Sequence, residues 1–231
     1  MLNVVCLKHG TKYGPDYVNK LYNMIERNLT IPHRFICFTD DTVGLDSRIE
    51  IIKLPTMGIQ GWWWKPYIFK EDHFSKEDTM LFFDLDMIIV KNIDHFMSYK
   101  PGSFVGLQDV GRVFRPGLKK LGSAVMRWPA GKFSHIWTRL ESNISQTKKY
   151  QGDQDWIFEQ MKSEIEFFPE SWIRSYKWEI RNRSEILGFG PRAVFKDVRS
   201  PSIPDDTAVL AFHGHPHVHT VQDPVIVDNW K

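Results

Sequence analysis

The chain opens on a short continuous apolar run, residues 4–7, that gives way to a polar loop, Lys8-His9-Gly10-Thr11-Lys12-Tyr13-Gly14-Pro15. Residues 16–28 then carry apolar side chains at helical spacing, which predicts an amphipathic helix. Residues 35–38 predict a second strand, ending at Thr39-Asp40-Asp41, and residues 49–54 a third, closed by Pro55. After a glycine-containing link, Trp62-Trp63-Trp64-Lys65-Pro66 predicts the start of a helix to about residue 71, with proline tolerated in its first turn. Residues 80–90, MLFFDLDMIIV, are an apolar run of strand length interrupted by two aspartates. Further strands are predicted at 103–107, 123–127 and 208–212, and helices near 132–142 and 153–163. Strands that alternate with helices imply an α/β protein with a mainly parallel sheet. In such sheets ligands bind beyond the carboxyl ends of the strands. Lys8, His9, Tyr13 and Asp40, in the loops there, are therefore candidate nucleotide contacts, with His9 and Tyr13 placed to stack on a base.

Composition narrows this picture. Thirty Lys and Arg stand against 28 Asp and Glu, a net charge of +2, so no one-sided field marks a nucleic-acid or membrane partner. Cys6 and Cys37 lie in apolar strand segments, where a thiol behaves as a small hydrophobe, and neither a disulfide nor catalysis is expected of them. The opening residues lack the layout of a signal peptide and no run of about 18 apolar residues occurs, so the expectation is a cytoplasmic protein. Asn28, Asn143 and Asn182 match the glycosylation acceptor pattern, which is too short to carry weight. Several of the tryptophans neighbour turn residues and charges, a setting suited to sugar contact. In the Trp62 to Trp64 run, one ring is expected in the core and one exposed.

The chemistry is concentrated at Asp84 and Asp86. Residues two apart on a strand point to the same side, so the two carboxylates face one spot. Within an apolar run that pair is costly unless a cation or strong hydrogen bonds offset it. A hard divalent cation bound through oxygen, with positions left open for phosphate oxygens, is the natural compensation. The bland alternative is a strand that ends in solvated aspartates.

An Asp-x-Asp pair in this order resembles the metal site of the GT-A class of glycosyltransferases. Gly152-Asp153-Gln154-Asp155 at a predicted helix start is similar to a motif of retaining glycosyltransferase family 8 and related families, and Phe212-His213-Gly214 resembles their closing segment. The resemblance runs over about residues 4–219. It implies a GT-A fold, a Rossmann-like mixed, mainly parallel sheet flanked by helices, filling residues 1–231 as one domain. About 1–100 would form a nucleotide-binding half and about 101–231 a sugar and acceptor half. It further implies a manganese or magnesium ion held by Asp86 and His213, with Asp84 bonding the metal or the ribose. Asp153 and Gln154 would lie beside the donor sugar, Gln154 near its anomeric face, with Asp155 holding a sugar hydroxyl and Ser123 and Ala124 as the small-residue sugar contact. The donor would be a nucleoside-diphosphate sugar, a UDP-sugar first, and the acceptor a glycan or other hydroxyl compound, with retention of configuration.

The chain departs from family 8 at its end. The usual Lys-Pro-Trp segment, whose lysine grips the diphosphate, is replaced by His213-Gly214-His215-Pro216-His217-Val218-His219. His215 or His217 would serve only when protonated, which leaves Lys65 as another source of charge. Read without the family, four alternate histidines would share one face of a regular strand and form a zinc or copper site. Gly214 and Pro216 argue against such a strand, so the rings are expected to diverge. For Gln154 the plain alternative is a helix-start residue. Other functions consistent with these residues are a nucleotide-sugar hydrolase, a nucleotidyltransferase, and a carbohydrate- or metal-binding module without chemistry. Residues 109–121 and 170–193 are expected to shape the acceptor site.

Overall fold

Side chains alternate between the two faces of a strand, and the first strand, β1 (Leu2–Lys8), shows the consequence. Val4 and Cys6 belong to one hydrophobic layer, while Val5 belongs to the other. The computed structural model describes residues 1–161, 164–181, 183–187, 194–197 and 202–231, with the backbone alone described at 183–187 and 194–197. The last predicted helical residue, Ser163, the acceptor-pattern Asn182 and part of the 170–193 segment lie outside the described residues.

In chain order β1 is followed by α1 (Pro15–Asn28), β2 (His33–Thr39), β3 (Glu50–Lys53) and a 3-10 helix, Gly61–Phe69. Then come β4 (Thr79–Phe83), β5 (Met87–Ile89), α2 (His95–Ser98), β6 (Phe104–Gln108), β7 (Leu121–Pro129), α3 (His135–Glu141) and α4 (Asp153–Met161). The chain continues through β8 (Ile165–Phe167), β9 (Ile173–Ser175), β10 (Arg183–Leu187), β11 (Val194–Asp197), β12 (Val209–Ala211) and α5 (Pro224–Asn229). Seven strands form the main sheet in the order β3-β2-β1-β4-β7-β6-β8. Its pairs are parallel except β4 with β7 and β7 with β6. A second sheet, β5-β12-β9, and a β10-β11 hairpin complete the described strands.

Helix α1 buries Tyr17, Val18, Leu21, Tyr22, Met24 and Ile25 on the same side of the main sheet as the second sheet. The 3-10 helix with α3 and α4 fills the opposite side around Trp64, Tyr67, Trp128 and Trp137. Cys6 and Cys37 sit side by side on β1 and β2, buried and unbonded. Trp64 is buried and Trp62 is 52% exposed, the expected division of that aromatic run.

One expected element is corrected. Residues 80–90 are not a single strand: the run breaks at Asp84 to Asp86 into β4 and β5, which belong to different sheets. The Asp84 amide still donates to the Ala124 carbonyl at 2.8 Å, extending the β4–β7 ladder by one residue, and the Met87 amide donates to the Asp84 carbonyl at 3.3 Å to close a turn. The turn sends Leu85 into the core, 2% exposed, and leaves both carboxylates lining a cleft at the carboxyl end of β4. Burying the leucine and leaving the carboxylates partly open is the cheaper division. The 62–71 helix is 3-10 in character, and β8 and β9, three residues each, carry too short a pattern to be predicted.

Candidate active site

The loop after β1, the 3-10 helix, the turn from β4 to β5, β7 and the start of α4 come together around one cleft. It has a volume of about 300 Å³ and is lined by His9, Lys12, Tyr13, Lys65, the aspartates 84, 86 and 153, Ser123 and Gln154, with Trp62 on its wall. At its floor Lys65, 3% exposed, is brought in by the 3-10 helix. Its Nζ stands 3.0 Å from Asp84 Oδ1, 3.1 Å from Asp153 Oδ2 and 3.0 Å from Ser123 Oγ. Ser123 Oγ in turn donates to Asp153 Oδ2 at 2.6 Å. Burial works against the lysine's charge, but Asp153 and Asp84 outweigh it and its pKa is raised. Burial pushes the Asp84 carboxyl up, to about 6, with Lys65 opposing and Asp86 and Asp153 adding to the rise. Asp84 keeps 31% of its side chain open to the cleft.

Asp86 accepts a 2.8 Å hydrogen bond from the Tyr13 hydroxyl. Burial raises this carboxyl too, with Tyr13, Lys12 and Lys65 opposing. Tyr13 is itself raised, first by burial and then by Asp86, so its hydroxyl keeps its proton and donates. A second cavity, about 210 Å³, adjoins the first: Asp84, Asp86, Ser123 and Gln154 line both, and Asp109, Ala124 and His213 join them here. Gln154 Nε2 donates to Asp109 Oδ2 at 3.3 Å, which turns its amide oxygen away from that carboxylate.

The three expected metal ligands, Asp84, Asp86 and His213, share this second cavity. Among the described residues, however, no three such groups converge closely enough to hold an ion. His213 Nε2 is engaged at 2.7 Å by Ser175 Oγ, and the ring packs 4.2 Å from Trp178. The donor set nevertheless fits a hard divalent cation. Two carboxylates whose protons burial favours stand beside a third, Asp153, and among the described residues only Lys12 and Lys65 of the lysines line the cleft. His213 is pulled down to about 4, by burial first and Lys177 second against Asp109, so its imidazole is neutral as ligation requires.

Other expected residues fall elsewhere. Lys8 is 4% exposed on β1, its Nζ 3.9 Å from Asp41, and is not on the cleft wall. Asp155 pairs with Lys120 at 2.7 Å and does not line the cleft. Lys65 has its charge committed to Asp84 and Asp153. Asp40 accepts from the Gly10 amide, 3.2 Å to each oxygen, and pins the β1 loop. His9 Nδ1 accepts from the Gly61 amide at 3.1 Å, so a neutral His9 carries its proton on Nε2, towards Asp40. His9, Asp40 and Gly61 edge a further cavity of about 530 Å³ running along residues 53–60. The histidines divide: His213 stands with Trp178, while the His215, His217 and His219 rings adjoin in series at 4.4 and 5.7 Å, so those three do not diverge as expected. Lys12, Asp109 and Ser175 fall inside segments the sequence reading marks, but it does not single them out. Asp109 meets Gln154 and Ser175 meets His213 across more than 30 residues of chain, and no local pattern announces that.

No known protein family matches the sequence, and no curated protein does. Solved structures do. The galactosyltransferase LgtC, in complex with donor and acceptor sugar analogues, superposes with a TM-score of 0.65 over 99% of this chain and 96% of that chain, at 11% identity. The fold is that of the GT-A glycosyltransferases. An active-site glutamine-to-glutamate variant of LgtC gives the same score and identity over 96% of this chain and 90% of that one. The glycosyltransferase GlyE of Streptococcus pneumoniae TIGR4 gives 0.56 at 13% identity over 75% of this chain and 47% of its own. In this GT-A chain, the cleft lies at the carboxyl end of β4, between its parallel partner β1 and its antiparallel partner β7, the kind of position at which open sheets bind ligands.

Proposed function

We propose that this chain is a glycosyltransferase that moves a sugar from a nucleoside-diphosphate donor, a UDP-sugar first, to a hydroxyl acceptor with retention of configuration. The observation that carries the reading is the charge array at the β4 end: Asp84 and Asp153 clamped on buried Lys65, with Asp86 beside them and Gln154 opening onto both cavities. The neighbouring LgtC structures, one with donor and acceptor sugar analogues and one altered at an active-site glutamine, support it.

Manganese or magnesium held by Asp84 and Asp86, with His213 released from Ser175 as third ligand, would neutralise the diphosphate leaving group. Lys65 fixes the direction of the Asp84 and Asp153 carboxylates, and Tyr13 does the same for Asp86. Lys12, on the cleft wall, supplies a positive charge for the diphosphate in place of the absent family lysine. Asp109 holds the nitrogen end of the Gln154 amide, so the carbonyl end is the one turned to the anomeric carbon, where positive charge develops. Asp153, Asp155 and Asp109 are all bonded within the protein. Asp84 and Asp86 are assigned to the metal, so among the described residues no carboxylate near Gln154 is set aside as a nucleophile, and the acceptor attacks from the face the leaving group departs. A proton NMR time course of the first product from a UDP-α-sugar is expected to show the α anomer. A β anomer as first product refutes retention, and free sugar as the main product shows a hydrolase.

A further inference from the structure

β9 and β12 pair in parallel, and Ser175, the last residue of β9, stands opposite Ala211. Two residues past Ala211 the chain reaches His213, so the two strands deliver a serine and the third expected metal ligand to one spot. Ser175 is buried and caps the Tyr176–Ile180 turn. Its Oγ accepts from the Trp178 amide at 3.1 Å, and its own amide donates to Glu179 Oε2 at 2.7 Å. The same turn sets the Trp178 ring 4.2 Å from His213 and stacks Tyr176 on Phe212 at 4.6 Å. One turn thus fixes the serine, the ring beside His213 and the residue before it.

A hydroxyl has one proton to give and two lone pairs. The Trp178 amide takes one lone pair of Ser175 Oγ, and among the described residues the remaining side-chain partner is His213 Nε2 at 2.7 Å. Giving its proton to Nε2 satisfies the buried hydroxyl, whereas receiving one would leave that proton without an acceptor, a costly state for a buried group. The neutral ring therefore carries its proton on Nδ1, and its one available lone pair, on Nε2, is held by the serine. A cation ligates through that same lone pair. Asp84, Asp86 and His213 line one cavity of about 210 Å³, yet among the described residues no three such groups converge on one point. A ligand diverted to another partner gives this arrangement.

We propose that Ser175 is a positioning residue that competes with the divalent cation for His213 Nε2, so that His213 joins Asp84 and Asp86 only when the serine lets it go. The inference rests on the metal site of the glycosyltransferase reading and deepens it, since the serine then sets how tightly the bare ion is held. A metal-ligating histidine commonly donates its other ring N–H to a neighbour. That arrangement would put the cation on Nδ1 and make Ser175 a support, with the opposite sign in the test.

Manganese affinity is measured by paramagnetic resonance of the free ion on wild type, Ser175→Ala, His213→Ala, the double variant and Asp86→Ala, with circular dichroism to show that each is folded. Ser175→Ala is expected to bind manganese about fivefold tighter than wild type, the worth of one hydrogen bond, and the double variant to bind as His213→Ala does. Weaker binding in folded Ser175→Ala shows a supporting serine, and a gain that persists without His213 shows an effect through the fold; either result overturns the proposal. Unchanged affinity in Ser175→Ala overturns it too, while binding that is lost in Asp86→Ala leaves the metal reading standing. Absence of manganese binding in both wild type and Ser175→Ala fails that reading, and this inference with it. A second measurement needs no variant at Ser175. Nitrogen NMR of the labelled His213 imidazole in wild type, assigned by its loss in His213→Ala, is expected to place the proton on Nδ1, and a proton on Nε2 overturns the proposal.

Discussion

Lys65 shows at the residue scale how much one side chain organises here. Removing one partner from a buried ion pair costs about 3–5 kcal/mol, because the remaining charge is left uncompensated. Lys65→Met leaves Asp84 and Asp153 facing each other without a cation, and a loss of that size is expected by urea denaturation. Adding Asp153→Asn to Lys65→Met should recover part of it. His73 gives a pH dependence of opposite origin. It packs against Phe38 and Tyr67, its Nε2 is buried without a partner, and burial, with Lys70, lowers its pKa to about 4. The folded state thus prefers the neutral ring. The stability this gives is fully present above the unfolded value of about 6.5 and is lost as pH falls through about 4. Thermal midpoints of wild type should fall relative to those of His73→Phe between pH 6.5 and 4. A constant difference across that window contradicts the assignment.

At the scale of elements, Arg112 joins the 109–114 segment to β9 and the turn after it. Arg112→Gln is expected to destabilise the protein by about 3 kcal/mol and to raise the acceptor KM while leaving donor affinity unchanged. Parallel changes in both affinities would show that the segment does not act on the acceptor side alone. The same scale shows what was legible in the sequence. The continuous apolar runs that become β1, β2 and β4 and the helical spacing in α1 were readable, because each is a local period imposed by one buried face. The break at Asp84 to Asp86 was not. A single apolar run with two charges looks like one strand until the pairing of β4 with β7 and β5 with β12 is known. Asp153 and Gln154 were legible as a pair at a helix start, but Asp155 was not separable from them. Only the fold turns it toward Lys120.

On the scale of the whole molecule, the crossing from β4 to β5 places the carboxylates where the β1 loop, the 3-10 helix and the start of α4 meet, and hydrophobic layers on both sides of the sheet hold them there. Among the described residues no helix is long and apolar enough to cross a membrane. The GT-A architecture was legible from motif order alone, although the identity with its solved neighbours is 11–14%. The loop from Lys8 to Tyr13 was legible as a candidate contact, but which of its lysines lines the cleft was not: the fold puts Lys12 on the wall and buries Lys8 on β1. The measurement that tests the account most directly is calorimetric binding of UDP, GDP and CDP, each with and without manganese, to wild type and to Asp86→Ala. The account predicts that UDP binds, that binding requires manganese, and that it is lost in Asp86→Ala. UDP binding that is indifferent to manganese and to Asp86, or no nucleotide binding at all, would contradict it.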